Sequence, residues 1–312
     1  MQIGLVGLGK MGSRIALKLL SEGHEVIVWN RSEEPIKNLE SMTQNLELSL
    51  KFKTAANVQG LVQMLKNPRV IWVMLPAGDV TENILKEISN FVQKGDIVID
   101  GGNSNWKDTE RRFKIFKEKD IEFLGIGVSG GIIAVKEGYP MMVGGSKKGY
   151  EHIKPILGSL AKPKGGFDYF GKGGAGHFVK MVHNAIEYGY MQSIGEGFEV
   201  LEKSEYGFDL GKIANLYRKN TLISGFMMDR TAEVLKKDSK LEVLTGIIGK
   251  ASGETIWTIE EAKRLGIDLE IIEASLNYRL RSETDPKIQK SFTARMVSAL
   301  RNAFGGHEVK TR

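Results

Sequence analysis

The amino-acid sequence predicts a doubly wound α/β domain followed by an all-α domain. Three observations predict it. Short runs rich in Ile and Val alternate with amphipathic stretches through the first half. A glycine-rich turn stands between the first run and the first amphipathic stretch. Beyond the glycine-dense segment Gly171–Gly176 only helical periodicity remains. The expected boundaries are residues 1–175 for the α/β domain and 176–312 for the helical one.

The runs Gln2–Val6, Glu25–Trp29, Val70–Leu75, Ile97–Asp100 and Glu122–Gly125 read as strands, being short, apolar and bounded by Gly or Asp. Met11–Glu22, Val80–Val92 and Trp106–Lys119 read as the helices between them. Such alternation implies parallel strands joined by right-handed crossovers. Met42–Asn57 reads as a strand plus loop. Glycines at 171, 173, 174 and 176 suit a hinge, and from His177 onward helices are separated by short Gly, Asp or Pro punctuation. The helical part is short, ~135 residues, and rich in apolar positions, so burial against a second copy, as a homodimer or homotetramer, is expected.

Composition narrows the function classes. Hydrophobic residues make up 41% and charged residues 26%, which excludes wholesale disorder. The absence of cysteine excludes disulfides, thiolate metal sites and a cysteine nucleophile. No apolar run approaches the ~20 residues a membrane helix needs, and the chain enters a strand-like run at once, leaving no room for a signal peptide. A soluble cytoplasmic protein with no membrane partner is the expectation. Lys and Arg (44) exceed Asp and Glu (38), giving a net charge of +6 that is dispersed along the chain. Dispersed positive charge suits small anions such as phosphorylated metabolites, not nucleic acid.

Gly7-Leu8-Gly9-Lys10-Met11-Gly12 matches G-x-G-x-x-G between a strand and a helix, the Rossmann-type signature. The first glycine allows the tight turn, the second lets backbone N–H groups approach a pyrophosphate, and the third permits close helix–strand packing. At the end of the second strand, where an NAD site usually carries Asp or Glu, the chain reads Trp29-Asn30-Arg31-Ser32. Neutral Asn30 does not repel a 2′-phosphate, Arg31 can pair with it and Ser32 can donate to it, which favours NADP, with NAD as the alternative. Two further glycine-rich clusters, Asp100–Ser104 and Gly127–Gly131 followed by Gly138–Gly145, stand where they could touch cofactor or substrate.

In the segment Gly176–Tyr188, residues Lys180, His183, Asn184, Glu187 and Tyr188 fall at i, i+3, i+4, i+7 and i+8, one stripe of a helix. The stripe joins a candidate base and a candidate acid with hydrogen-bonding orienters just after the hinge. Lys180 and Glu187 stand about 10.5 Å apart along the axis, room for two long side chains to flank one small substrate. Among the histidines, His24 and His152 read as surface or packing residues and His177 as either. No pair has metal-ligand spacing near carboxylates, so no metal is expected.

Taken with Leu75-Pro76-Ala77-Gly78, Ser129-Gly130-Gly131, Glu196–Glu199 and Arg301–His307, these motifs make the chain resemble the 6-phosphogluconate dehydrogenase family, in a form with a shortened helical domain. The resemblance runs nearly end to end. It implies oxidative decarboxylation of 6-phosphogluconate to ribulose 5-phosphate and CO2 with reduction of NADP, in the pentose phosphate pathway. By the same resemblance Lys180 is the general base for the 3-hydroxyl, and Glu187 is the general acid that protonates the enediol at what becomes C1. Leu75, Pro76, Ala77 and Asn103 join Gly7–Gly12 and Asn30–Ser32 at the cofactor. Asn103, Ser129, Gly130, Gly131, His183 and Asn184 are implied as substrate contacts. Tyr188 and Arg279 are implied at the phosphate, with Arg301 and His307 reaching in from a neighbouring subunit. A β-keto acid loses CO2 readily, so no metal is needed, but a lysine base must be neutral against a reference value near 10.4. Two departures stand out. The loop Ser252–Trp257 carries no lysine where longer members hold a phosphate-contacting one, and the stretch Ile132–Val135 leaves local contacts open. Two other readings compete: a 3-hydroxyisobutyrate-type β-hydroxyacid dehydrogenase, which needs neither His183, Glu187, Arg301 nor His307, and a non-catalytic NADP-sensing scaffold.

Overall fold

A computed structural model describes residues 1–44, 48–251 and 253–311. The chain forms two compact units, Met1–Lys180 and Met181–Arg312. The first contains β1 (Gln2–Val6), α1 (Lys10–Ser21), β2 (Glu25–Trp29), α2 (Glu34–Gln44), β3 (Phe52–Thr54), α3 (Val58–Met64), β4 (Val70–Val73), α4 (Asp79–Ile88), β5 (Ile97–Asp100), α5 (Trp106–Glu118), β6 (Glu122–Val128), α6 (Ala134–Glu137), β7 (Met141–Gly145), α7 (Lys147–Ala161) and β8 (Phe167–Gly171). The long helix α8 (Ala175–Glu202) begins in the first unit and continues into the second. After it come α9 (Leu210–Tyr217), α10 (Phe226–Lys237), α11 (Gly253–Leu265), α12 (Glu270–Arg281), α13 (Pro286–Lys290) and α14 (Phe292–Gly305).

The eight strands form one sheet in the order β3-β2-β1-β4-β5-β6-β7-β8. Strands β4 and β5 are buried along their whole length, as expected of parallel strands covered on both faces. Helix α1 lays Ile15, Ala16, Leu19 and Leu20 onto the sheet; the pairs Ile15/Leu19 and Ala16/Leu20 are spaced i, i+4 on one face. A second layer built on Leu61, Val62, Leu85 and Ile88 packs on the other side.

Several sequence expectations need correcting. The strand expected over Val70–Leu75 stops at Val73, and the one expected over Glu122–Gly125 continues to Val128 through Gly127. Met42 to Gln44 is the end of α2, the strand of that region is only Phe52–Thr54, and residues 45–47 of the expected strand-plus-loop lie outside the described residues. Gly138–Gly145 is not simply a turn: Met141–Gly145 is β7, antiparallel to β6, so the sheet is not wholly parallel. The chain doubles back there through the 3₁₀ turn Gly131–Ile133 and the four-residue α6, without a full crossover helix.

The second unit is helical; among its described residues only an isolated bridge pairs Leu244 with Thr311. Its core joins Met191 and Phe198 of α8 to Leu210, Met228, Leu235, Phe292, Met296 and Leu300. Among the described residues no helix is long and apolar enough to cross a membrane.

Candidate active site

In the first unit the strand order reverses between β1 and β4, and ligands of open α/β sheets sit beyond the carboxyl ends of the strands at such a point. Gly7 follows β1 with φ +97°, a region closed to most side chains, and a Cβ there would lie 2.5 Å from the Met74 carbonyl oxygen. A Cβ on Gly12 would strike the Gly7 carbonyl, so the third glycine lets α1 dock against the turn. Gly9 differs from both: its backbone is extended, and a Cβ there would meet nothing within 4 Å. Gly9 caps α1 with no side-chain hydrogen bond, and the first turn holds no acidic residue. The N-terminal N–H groups of α1 therefore have an open approach and a favourable dipole for an anion. The residues present fit a dinucleotide pyrophosphate.

Asn30 braces this turn. Its Oδ1 accepts from the Leu8 N–H at 2.9 Å, and its Nδ2 donates to the Ser32 carbonyl and hydroxyl. Arg31, beside it, is exposed and makes no ion pair or hydrogen bond with the described residues. Pro76 and Ala77 are exposed after β4, with Leu75 half-buried, and the Thr81 hydroxyl holds the Pro76 carbonyl at 2.7 Å. After β5 a buried ion pair shapes the next turn. Asp100 accepts from Arg112 at 2.8 Å and from the Gly102 N–H at 3.2 Å, and Arg112 also reaches the Ser104 hydroxyl. Asn103, between them, is left exposed.

Glycines of β6 and β7 make room for the start of α8. A Cβ on Gly144 would lie 2.3 Å from the Gly176 nitrogen, and one on Gly125 would crowd Thr109 and His177. One on Gly127 would lie 2.3 Å from the Cβ and 2.7 Å from the Cγ of Lys180. Lys180 is buried, its stem laid across Gly127. His177 is buried too; its Nδ1 pairs with the Thr109 hydroxyl at 2.7 Å, and burial lowers its pKa. His177 is thus a packing residue, and His24 is another, buried between the N-terminal amine and Ser159. The Ser129-Gly130-Gly131 turn is half-buried, its two glycines in the left-handed region, with the Ser129 N–H on the Pro140 carbonyl.

In the second unit α8 carries His183, Asn184, Glu187 and Tyr188. His183 Nδ1 lies 2.9 Å from Asn184 Oδ1, and Asn184 Nδ2 donates to Glu254 Oε1 at 3.0 Å. Tyr188 is buried beneath the guanidinium of Arg279, 4.4 Å from its ring centre. Arg279 donates to the carbonyls of Gly249 and Lys250 at 2.9 and 2.6 Å, and Arg301 donates to the carbonyl of Ile248. Burial pulls both arginines down, Arg301 to about 10 with the charge of Arg279 adding to the effect. Glu187 opposes that fall at each. The buried Arg279 and the half-buried Arg301 therefore converge beside Tyr188 and Glu187. His307 lies at the surface after α14, ring edge-on to Phe304, its carbonyl held by Asn302.

Two residues of consequence escaped the sequence. Gly127 was legible only as part of a glycine cluster, and nothing in its spacing shows that it faces Lys180. Glu254, 4% exposed, stands in the segment Ser252–Trp257, whose first residue lies outside the described residues; a carboxylate before an apolar helix face carries no signal of its own. Among the described residues no three His, Asp or Glu side chains are grouped to hold a metal ion.

Comparison with known proteins brings the two halves together. Residues 2–173 match the family model described as the NAD binding domain of 6-phosphogluconate dehydrogenase. Residues 176–293 match the 6-phosphogluconate dehydrogenase C-terminal domain. A Bacillus subtilis (strain 168) protein, YqeC, named provisionally as a 6-phosphogluconate dehydrogenase, is 38% identical over 312 residues, with both chains covered in full. The NAD(+)-dependent, decarboxylating 6-phosphogluconate dehydrogenase of Haloferax volcanii is 32% identical, covering 99% of this chain and 98% of its own. The Plasmodium falciparum 6-phosphogluconate dehydrogenase, solved in its apo form and with NADP+ and 6-phosphogluconate, superposes with a TM-score of 0.79 at 34% identity. That match covers 90% of this chain and 62% of the longer Plasmodium chain. A Mycobacterium tuberculosis 3-hydroxyisobutyrate dehydrogenase shares the fold, with a TM-score of 0.72 at 16% identity and coverage of 95% and 97%.

Proposed function

Because this chain belongs to the 6-phosphogluconate dehydrogenase family, we propose that it converts 6-phosphogluconate to ribulose 5-phosphate and CO2 while reducing NADP. The observation that carries the proposal is α8, on which the buried Lys180 and the arginine-flanked Glu187 stand two turns apart. NADP is preferred over NAD because Arg31 is an exposed guanidinium with no ion pair or hydrogen bond among the described residues, just after β2, where it can meet a 2′-phosphate. Gly7–Gly12 and the first turn of α1 hold the pyrophosphate. Leu75, Pro76, Ala77 and Asn103 border the rest of the dinucleotide. The bound nicotinamide supplies the acceptor for the hydride from C3.

The remaining steps belong to the chain's own residues. Lys180, in its neutral form, takes the proton of the 3-hydroxyl as the C3 hydride departs, and a 3-keto acid results. Its C1–C2 bond breaks, the pair becoming the C2–C3 double bond while the 3-keto oxygen takes back the proton held by Lys180, and CO2 leaves an enediol. Glu187 delivers a proton to the carbon that becomes C1 of the product while Lys180 takes the hydroxyl proton from its neighbour, which becomes the ketone. His183, Asn184, Asn103 and the Ser129-Gly130-Gly131 turn orient the sugar hydroxyls and carboxylate. Tyr188, Arg279, Arg301 and His307 take the phosphate, the two arginines exchanging the carbonyls of Ile248, Gly249 and Lys250 for phosphate oxygens. The chain works in the cytoplasm, where phosphorylated metabolites of this kind are kept. It works as a homo-oligomer, a reading supported by exposed apolar side chains of the helical unit such as Leu216, Leu222 and Ile271.

The Lys180→Met variant tests the assignment. It is expected to abolish turnover of 6-phosphogluconate while dinucleotide binding, measured by calorimetry, survives. A rate near that of the unsubstituted enzyme would remove the lysine from the mechanism.

A further inference from the structure

Glu254 stands at the first turn of α11, 4% exposed, with its Oε1 3.0 Å from Asn184 Nδ2. A buried carboxylate placed against a carboxamide decides how that carboxamide is turned. An ionised carboxylate can only accept, so the Asn184 atom facing it is the amide nitrogen. The amide oxygen of Asn184 then faces the other way, and it lies 2.9 Å from His183 Nδ1. A carboxamide oxygen can also only accept, so Nδ1 of His183 carries a proton and donates it. In the neutral ring the lone pair is then on Nε2. The order of donors runs without a break from His183 to Asn184 to Glu254.

We infer that Glu254 is a positioning residue for this reaction: it fixes the amide of Asn184 and, through it, the Nδ1–H tautomer of His183. The inference rests on the proposed function only for its kinetic consequence. Within that reading His183 meets substrate hydroxyls, and a ring with its lone pair on Nε2 accepts a hydroxyl proton there, whereas the other tautomer donates. Glu254 has a second influence, since its negative charge also favours the cation of Arg279. Two variants separate the effects. Glu254→Gln keeps an acceptor for Asn184 Nδ2 but removes the charge. Glu254→Ala removes both. The end of α11 is otherwise held from Glu254's main chain, whose carbonyl accepts from the Thr258 hydroxyl in every variant.

The experiment joins kinetics to nitrogen NMR of the histidine rings. The chain has five histidines, and His183 is assigned by the signals that vanish in His183→Gln. In the unsubstituted protein His183 is expected as the Nδ1–H tautomer, a result that needs neither substrate nor any change at Glu254. Observation of the Nε2–H tautomer there overturns the inference. In Glu254→Ala kcat is expected to fall on the order of 10- to 100-fold, as for a mispositioned orienting group, and the His183 signals to move toward the other tautomer. Glu254→Gln is expected to restore both tautomer and most of kcat. If Glu254→Gln is as impaired as Glu254→Ala, the charge toward Arg279 and not the hydrogen-bond chain is the contribution, and the inference is wrong. If the unsubstituted protein shows the Nδ1–H tautomer but does not turn over 6-phosphogluconate, the proposed function fails while the positioning role stands.

Discussion

Adding one methyl group at Gly127 probes how Lys180 is placed. Gly127 lies in the extended backbone of β6, paired with Met142, so alanine is acceptable to the main chain and the cost is steric. The new Cβ would stand 2.3 Å from Lys180 Cβ and 2.7 Å from its Cγ. Comfortable carbon–carbon contact begins near ~3.5 Å, so the lysine stem must retreat by about 1.2 Å. A displacement of that size at a reacting group costs about 100-fold in rate, and overpacking costs about 1–3 kcal/mol of stability. Gly127→Ala is therefore expected to lower kcat about 100-fold and to depress the melting temperature by several degrees, while the Kd for NADP stays within about twofold. Gly9→Ala is the matched control. Its Cβ meets no protein atom within 4 Å, so the melting temperature should hold, but the methyl fills the approach to the α1 N-terminus and Kd for NADP should rise about 10-fold or more. Steady-state kinetics, calorimetric binding and thermal unfolding of the two variants read all of this. A Gly127→Ala enzyme with unchanged kcat would refute the placement of Lys180, and a Gly9→Ala protein with unchanged NADP affinity would refute the pyrophosphate site.

Three further outcomes are expected. Arg31→Asp should weaken NADP binding about 10- to 100-fold, the loss of a charge-assisted contact of about 1.5–3 kcal/mol, and shift preference toward NAD; calorimetry with both cofactors checks it, and unchanged NADP affinity would count against Arg31. Arg279→Met should raise KM for 6-phosphogluconate about 10- to 100-fold by the same reasoning and also lower stability, because the Gly249 and Lys250 carbonyls lose their donor; an unchanged KM would take Arg279 out of the phosphate site. Glu82 is held at about 2 by its hydrogen bonds to Arg111 and Arg112, against an ordinary value of 4.5. A carboxyl lowered on folding stabilises above its unfolded value and loses that contribution as pH falls from about 4.5 toward 2. Since Glu82 is partly exposed, about 1 kcal/mol is at stake after solvent screening. Urea unfolding at pH 6 and pH 3 should show Glu82→Gln losing less stability than the unsubstituted protein; equal losses would mean that the pair contributes nothing.

Much of the first unit was legible because its physics is local. Gly7–Gly12 reveals its turn, its open approach and its helix contact through residue type and spacing, and the structure gives each glycine a distinct steric reason. Runs such as Ile97–Asp100 announce buried parallel strands by their apolar continuity. Legibility failed where a residue's meaning comes from a distant element. Gly125 and Gly127 look like strand breakers, yet they extend β6 because α8 lies across them. Met141–Gly145 pairs with β6 in the antiparallel sense only because the chain doubles back after Val128, which no periodicity encodes. Asn30 was read for its neutrality toward a phosphate, while its side chain also ties β2 to the glycine turn. Arg279 sits at the end of an ordinary amphipathic helix, and only folding brings it against Tyr188 and the carbonyls of Gly249 and Lys250. Glu254 reaches Asn184 across 70 residues of sequence, beyond any motif.

The most direct single measurement supplies the purified protein with NADP and 6-phosphogluconate carrying a carbon-13 carboxyl group. Labelled CO2 and reduced cofactor should appear together, one for one, and 3-hydroxyisobutyrate offered in its place should give a far slower reaction. Cofactor reduction without labelled CO2, or faster turnover of the unphosphorylated acid, would contradict a lysine and a glutamic acid acting in sequence on one sugar phosphate.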